Sequence, residues 1–188
     1  MEHLSAPTRL DVKALAQSGQ EISGTDALSN YARLAQDLRG QSPDLSFKWI
    51  ARGEERLGTT GKAESWLHLS LDAALPLVCQ RCLGPVDVHV SPKRLFRFVA
   101  SEAEAAAQDD DCDEDLLVLS REFNLAELIE DELVLEVPLI PRHEVCPVTV
   151  NLEVADADFA DSAVTKPSPF AALSGLSGLI KVKLPESK

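Results

Sequence analysis

Leu67, Leu69, Leu71, Ala73, Leu75, Leu77 and Cys79 stand at every second position of the chain. Successive side chains of a strand point to opposite faces, so an unbroken period of two predicts a long strand with one face against a core. After Cys82-Leu83-Gly84-Pro85 the period resumes at Val86, Val88 and Val90 and returns at Phe96 and Phe98. Two such runs joined through a Gly-Pro connection predict an antiparallel hairpin. Pro76 falls near the end of the first run, where a missing backbone donor is tolerated at an edge or bulge. The tip of this hairpin is then Cys79-Gln80-Arg81-Cys82.

The rest of the chain supplies elements to cover that sheet. Residues 8–15 alternate enough for a short strand, and residues 44–51 put Leu45, Phe47 and Trp49 on one side of an extended segment. From Asp26 to Arg39 the stripe Leu28, Tyr31, Ala35 and Leu38 predicts a helix stopped at Gly40. Residues 101–115 read as a short helical start followed by a solvated acidic loop, with a strand at Leu116–Leu119 after it. Asn124 then opens the best helix, with Glu127 completing a capping box and Leu125, Leu128, Ile129 and Leu133 forming the apolar stripe. Val137-Pro138-Leu139-Ile140-Pro141 ends it and carries the chain to His143 and Cys146. The expected fold is α+β: one domain over residues 1–146, an antiparallel sheet with a long hairpin, and at least two packed helices. Residues 147–188 are expected to form a flexible tail with a short apolar docking segment running from Pro169–Leu173 through Leu179-Ile180.

Charge narrows the function. The net charge is −13, and residues 100–161 hold 19 of the 31 acidic but only 2 of the 18 basic side chains. Such a surface opposes indiscriminate phosphate binding and suits either solubility or a basic partner. No apolar run approaches the about 20 residues of a membrane span. The N-terminal residues lack a signal pattern, and four cysteines are too sparse for a disulfide scaffold. A cytoplasmic protein with no membrane partner and no small-molecule substrate is expected.

The Cys-x-x-Cys leaves two roles open. Two thiolates at one tip supply half the ligands of a tetrahedral zinc ion, with His143 and Cys146 as the remaining candidates. Alternatively Cys79 and Cys82 form a redox dithiol. Pairs of that kind usually place the nucleophile at a helix N-terminus, a dipole that a hairpin tip does not supply, and a titration showing no strongly acidic thiol would remove this option. The acidic residues raise a third option, a metal-dependent nuclease, which would need carboxylates converging in a cleft. Arg81, Lys93, Arg94 and Arg97 are candidate contacts to RNA or another partner, whereas Phe96 and Phe98 continue the buried face.

Three blocks together resemble the YceD family, which is linked to accumulation of bacterial large-subunit ribosomal RNA. They are Leu75–Leu83 with its Cys-x-x-Cys, Asn124–His143 with its long helix and Val-Pro-Leu-Ile-Pro exit, and Lys166–Leu173. The resemblance implies a cytoplasmic, non-enzymatic factor that supports synthesis, processing or stability of 23S ribosomal RNA. Its partner would be the large-subunit RNA, or a ribosomal protein, of an assembly intermediate. Many family members carry a richer cysteine cluster after the long helix, which implies a zinc site. This chain keeps His143 and Cys146 there but has no second Cys-x-x-Cys, so a site here would be Cys79, Cys82, His143 and Cys146.

Overall fold

The computed structural model describes residues 5–40, 45–58 and 61–149. In chain order its elements are α1 (Val12–Ser18), β1 (Glu21–Ala27), α2 (Leu34–Asp37), β2 (Ser46–Leu57), β3 (Ala63–Val78), β4 (Pro85–Val90), β5 (Lys93–Val99), α3 (Glu102–Gln108), β6 (Asp115–Val118) and α4 (Leu125–Glu136). The fold is α+β. The alternating run has become β3, the central strand. Its first part lies between β2 and β5, and its last part, from Ala73 to Val78, pairs with β4. Leu67, Leu69, Leu71, Ala73, Leu75 and Leu77 are all buried, and Cys79 continues the series with no exposed surface. A leucine contributes about 1.5–3 kcal/mol when fully buried, so the buried face of β3 stabilises the sheet.

The second half of the core comes from α4. Asn124 Oδ1 accepts from the Glu127 amide at 3.2 Å, and Asn124 Nδ2 donates to Glu127 Oε2 at 3.2 Å. This cap sets the helix phase that sends Leu125, Leu128, Ile129 and Leu133 inward, into one core with Phe47, Trp49, Leu69 and Phe96. Phe98 is buried as well, as the alternating face required. Val137 then leaves the helical conformation with ψ 119°, as befits a residue that precedes a proline.

Two expected elements are replaced by others. Residues 8–15 are not a strand. Asp11 caps α1 by accepting from the Ala14 amide, and Gly19 ends the helix in the left-handed conformation. Val12, Leu15 and Ala16 are the buried positions, a helical spacing that short alternation obscured. Residues 26–39 are not one helix either. β1 stays paired with β2 as far as Ala27, a 3-10 turn follows at Leu28–Asn30, and α2 is a single turn. Leu28 and Tyr31 of the expected stripe are buried, but Leu34 is buried in place of Ala35 and Leu38, which are half-buried; ladder bonds and the anchored Asp26 override the helical preference. Asp26 Oδ2 accepts from the Ala6 amide and from the Tyr31 hydroxyl, both at 2.8 Å.

The sheet is mixed, because β6 runs parallel to β5. Parallel neighbours need a crossover of a dozen or more residues, usually helical, and the acidic segment supplies it through α3. Ser101 caps α3 by accepting from Glu104 N. The described residues belong to the unit Met1–Val150. The tail and docking segment expected within 147–188 lie, from residue 150 onward, outside the described residues.

Candidate metal centre

Cys79 follows the last residue of β3, and Cys82 lies in the turn before β4. The turn closes on itself: Cys79 N donates to Gly84 O at 2.9 Å, and Leu83 N donates to Cys79 O at 2.8 Å. Leu83 is the one non-glycine residue with positive φ among the described residues, at 57°. Its side chain is 72% exposed, so no packing offsets a conformation that disfavours L-residues by about 1–2 kcal/mol.

The exit segment of α4 reaches this turn. Gln80 N donates to Pro141 O at 2.8 Å, which lays the segment from Pro141 to Cys146 across the tip. Ligand atoms of Cys79, Cys82, His143 and Cys146 all fall within 4.8 Å of one another. Cys79 Sγ is 3.9 Å from Cys146 Sγ, and Cys82 Sγ is 3.5 Å from His143 Nδ1. Zinc bonds of about 2.3 Å to sulfur and about 2.05 Å to nitrogen give tetrahedral edges of about 3.8 Å between sulfurs and about 3.5 Å from sulfur to nitrogen. The two measured separations match those edges, so the residues present fit a tetrahedral ion. All four cysteines are free thiols.

Electrostatics favour a thiolate at Cys79. Burial pushes the Cys79 thiol up, but backbone donors of Cys82, His143 and Arg81 outweigh it and bring its pKa down to about 5. The tip has no helix dipole, and backbone amides around Cys79 take its place. For Cys82 the Gly84 amide pulls the pKa down, yet burial and the neighbouring Cys79 and Cys146 sulfurs raise it on balance. Thiol exchange needs an accessible nucleophile, and Cys79, the acidified sulfur, is fully buried.

The basic candidates are placed differently from one another. Arg81 turns back onto the exit segment, donating to Cys146 Sγ, His143 O and Glu144 O. Arg94 pairs with Glu132 and Glu136 of α4, each at 2.9 Å. Arg97 binds Glu114 at 2.7 Å and Gln108 at 2.8 Å. Lys93 is exposed and takes part in no ion pair among the described residues.

The acidic residues do not converge. Among the described residues, the only group of three or more His, Cys, Asp or Glu side chains able to share one metal ion is the cysteine-histidine group. Two contacts were missed from sequence: the fork of the exposed Arg81 onto the exit segment and the pairing of Arg94 with Glu132, which is 5% exposed. The first had no sequence signal. The second had a weak one, because Glu132 falls between Ile129 and Leu133 on the buried side of the helix.

The geometry thus defines an α+β domain in which a β-ribbon end and a helix exit build one thiol-imidazole cluster. Comparison with known proteins matches residues 67–177, more than half of the chain, to the family described as large ribosomal RNA subunit accumulation protein YceD. The chain belongs to the YceD family. A relative of that name from Haemophilus influenzae is 27% identical over 186 residues, covering 94% of this chain and 98% of the relative. No solved structure matches. No helix among the described residues is long and apolar enough to cross a membrane.

Proposed function

We propose that the chain is a non-enzymatic factor that supports synthesis, processing or stability of 23S ribosomal RNA in the cytoplasm, by binding a large-subunit assembly intermediate. Family membership carries this reading, together with a relative covered nearly end to end and named for large ribosomal RNA subunit accumulation. In the same reading Cys79, Cys82, His143 and Cys146 hold a zinc ion that fixes the exit segment to the ribbon. The ion's contribution is structural, since four protein ligands leave no open position.

The engagement of Arg94 and Arg97 in intramolecular pairs, with a net charge of −13, favours a basic ribosomal protein as the direct partner. Lys93 is the basic candidate still available for contact. Sedimentation of tagged protein from cell extract tests the assignment. Co-migration with precursor large-subunit fractions in mild salt is expected, and depletion is expected to lower 23S relative to 16S RNA. Absence from those fractions with an unchanged RNA ratio would refute it. Crosslinking identifies whether the bound partner is protein or RNA.

A further inference from the structure

The geometry points to Arg81 as the positioning residue of the metal centre: its guanidinium orders the His143–Cys146 segment and neutralises the loaded cluster. This deepens the zinc assignment above and rests on it. Arg81 lies between the two cysteines of the turn, yet its side chain reaches across to the other half of the ligand set. Nε donates to Cys146 Sγ at 3.0 Å, while Nη2 donates to His143 O at 2.9 Å and to Glu144 O at 3.1 Å. One planar fork therefore grips a ligand sulfur and two carbonyls flanking the ligands, an arrangement a lysine ammonium cannot reproduce from one position.

Charge gives the same answer. Three thiolates and a neutral imidazole leave a zinc ion with a net charge of about −1. In a chain already carrying net charge −13, a permanently protonated guanidinium against that cluster cancels the excess. Hydrogen bonds to ligand atoms from outside the coordination sphere orient those ligands and tune the metal, and losing one weakens metal affinity about 10–100-fold. The side chain is consequently committed within the molecule and does not serve as a free contact at the tip.

The test uses the full chain, with zinc affinity measured against a chromophoric chelator and the site spectrum recorded with cobalt(II). R81M should bind zinc about 10–100-fold more weakly and shift the sulfur-to-cobalt charge-transfer band, because Cys146 loses its donor. R81K should recover part of the affinity through its charge. Far-UV circular dichroism should report the same sheet content in all three proteins. Wild-type zinc affinity retained by R81M, with an unshifted cobalt band, would overturn the inference while leaving the zinc assignment standing. A wild-type chain that binds neither ion would overturn both.

Discussion

Replacing Arg94 by methionine isolates one polar contact between α4 and the sheet. Arg94 on β5 donates through Nε to Glu132 and through Nη2 to Glu136. The Glu132 side chain is 7% exposed, whereas the Arg94 side chain is 42% exposed. The two truncations should therefore be unequal. Without Arg94 a buried carboxylate loses a charge-assisted hydrogen bond worth about 1.5–3 kcal/mol, and solvent at the exposed edge restores part of it. A loss of about 2 kcal/mol is expected for R94M. E132M leaves an arginine that rehydrates and still reaches Glu136, so it should lose under about 0.5 kcal/mol. The double variant should lie within about 1 kcal/mol of wild type, since an apolar pair of similar volume often replaces an ion pair without loss.

Urea unfolding of the four proteins measures this cycle. With a slope of about 2 kcal/mol/M, R94M should unfold about 1 M earlier than wild type, and E132M in the R94M background should restore most of that shift. An R94M midpoint equal to wild type, or a double variant weaker than R94M, would refute the argument. Arg94 would then be spared for a partner, and loss of binding rather than stability would be its phenotype.

Three further outcomes follow from the same geometry. Gly53→Ala should lower the melting temperature by about 4–10 °C, because the added Cβ would lie 2.4 Å from Leu15 O and 2.6 Å from Ala16 N, main-chain atoms that yield only if α1 moves; an unchanged melting curve would show that α1 is not seated on β2. Arg56, and after it His68, hold the Glu54 carboxyl down from its ordinary 4.5 to about 2. A folded-state pKa below the unfolded one contributes stability above about pH 4.5 that is lost as pH falls toward about 2, so the gap in melting temperature between wild type and E54Q should close across that window, and a constant gap would contradict it. Chelation, or C146S, should abolish zinc binding and expose residues 137–146 to protease while the sheet persists on its own core; a global loss of structure would mean that the ion holds more than the exit segment.

The β3–β4 ribbon was legible because burial on one face imposes a period that few other structures produce. Leu67 to Cys79 carries it without interruption, and every member is buried. The cap and stripe of α4 were legible for a related reason, since Asn124 and Glu127 satisfy each other locally. The N-terminal third misled because its elements are short and their conformations are set by distant partners. Leu28 and Tyr31 keep a helical spacing while the chain obeys β2 and the buried carboxylate of Asp26. The parallel β6 was hidden for the same reason, since direction depends on a crossover whose acidic composition reads as loop.

The cysteine-histidine cluster divides along the same line. Cys79 and Cys82 announce themselves by spacing, and His143 and Cys146 by lying just past a helix that must end. What sequence does not carry is the vector joining the two halves. It depends on α4 packing into the core beside Phe96 of β5, where the Arg94–Glu132 pair adds a polar link, and on the Gln80–Pro141 bond that turns the exit segment over the tip. A cluster built this way should respond to the helix as well as to its own ligands. R94M, several residues from any sulfur in sequence, should weaken zinc affinity in proportion to the freedom it gives α4, whereas E132M/R94M, with the helix reseated, should recover it. Equal zinc affinity in R94M and wild type would show that the exit segment is held by the tip alone, through Arg81 and Gln80, and that the helix only supplies the chain.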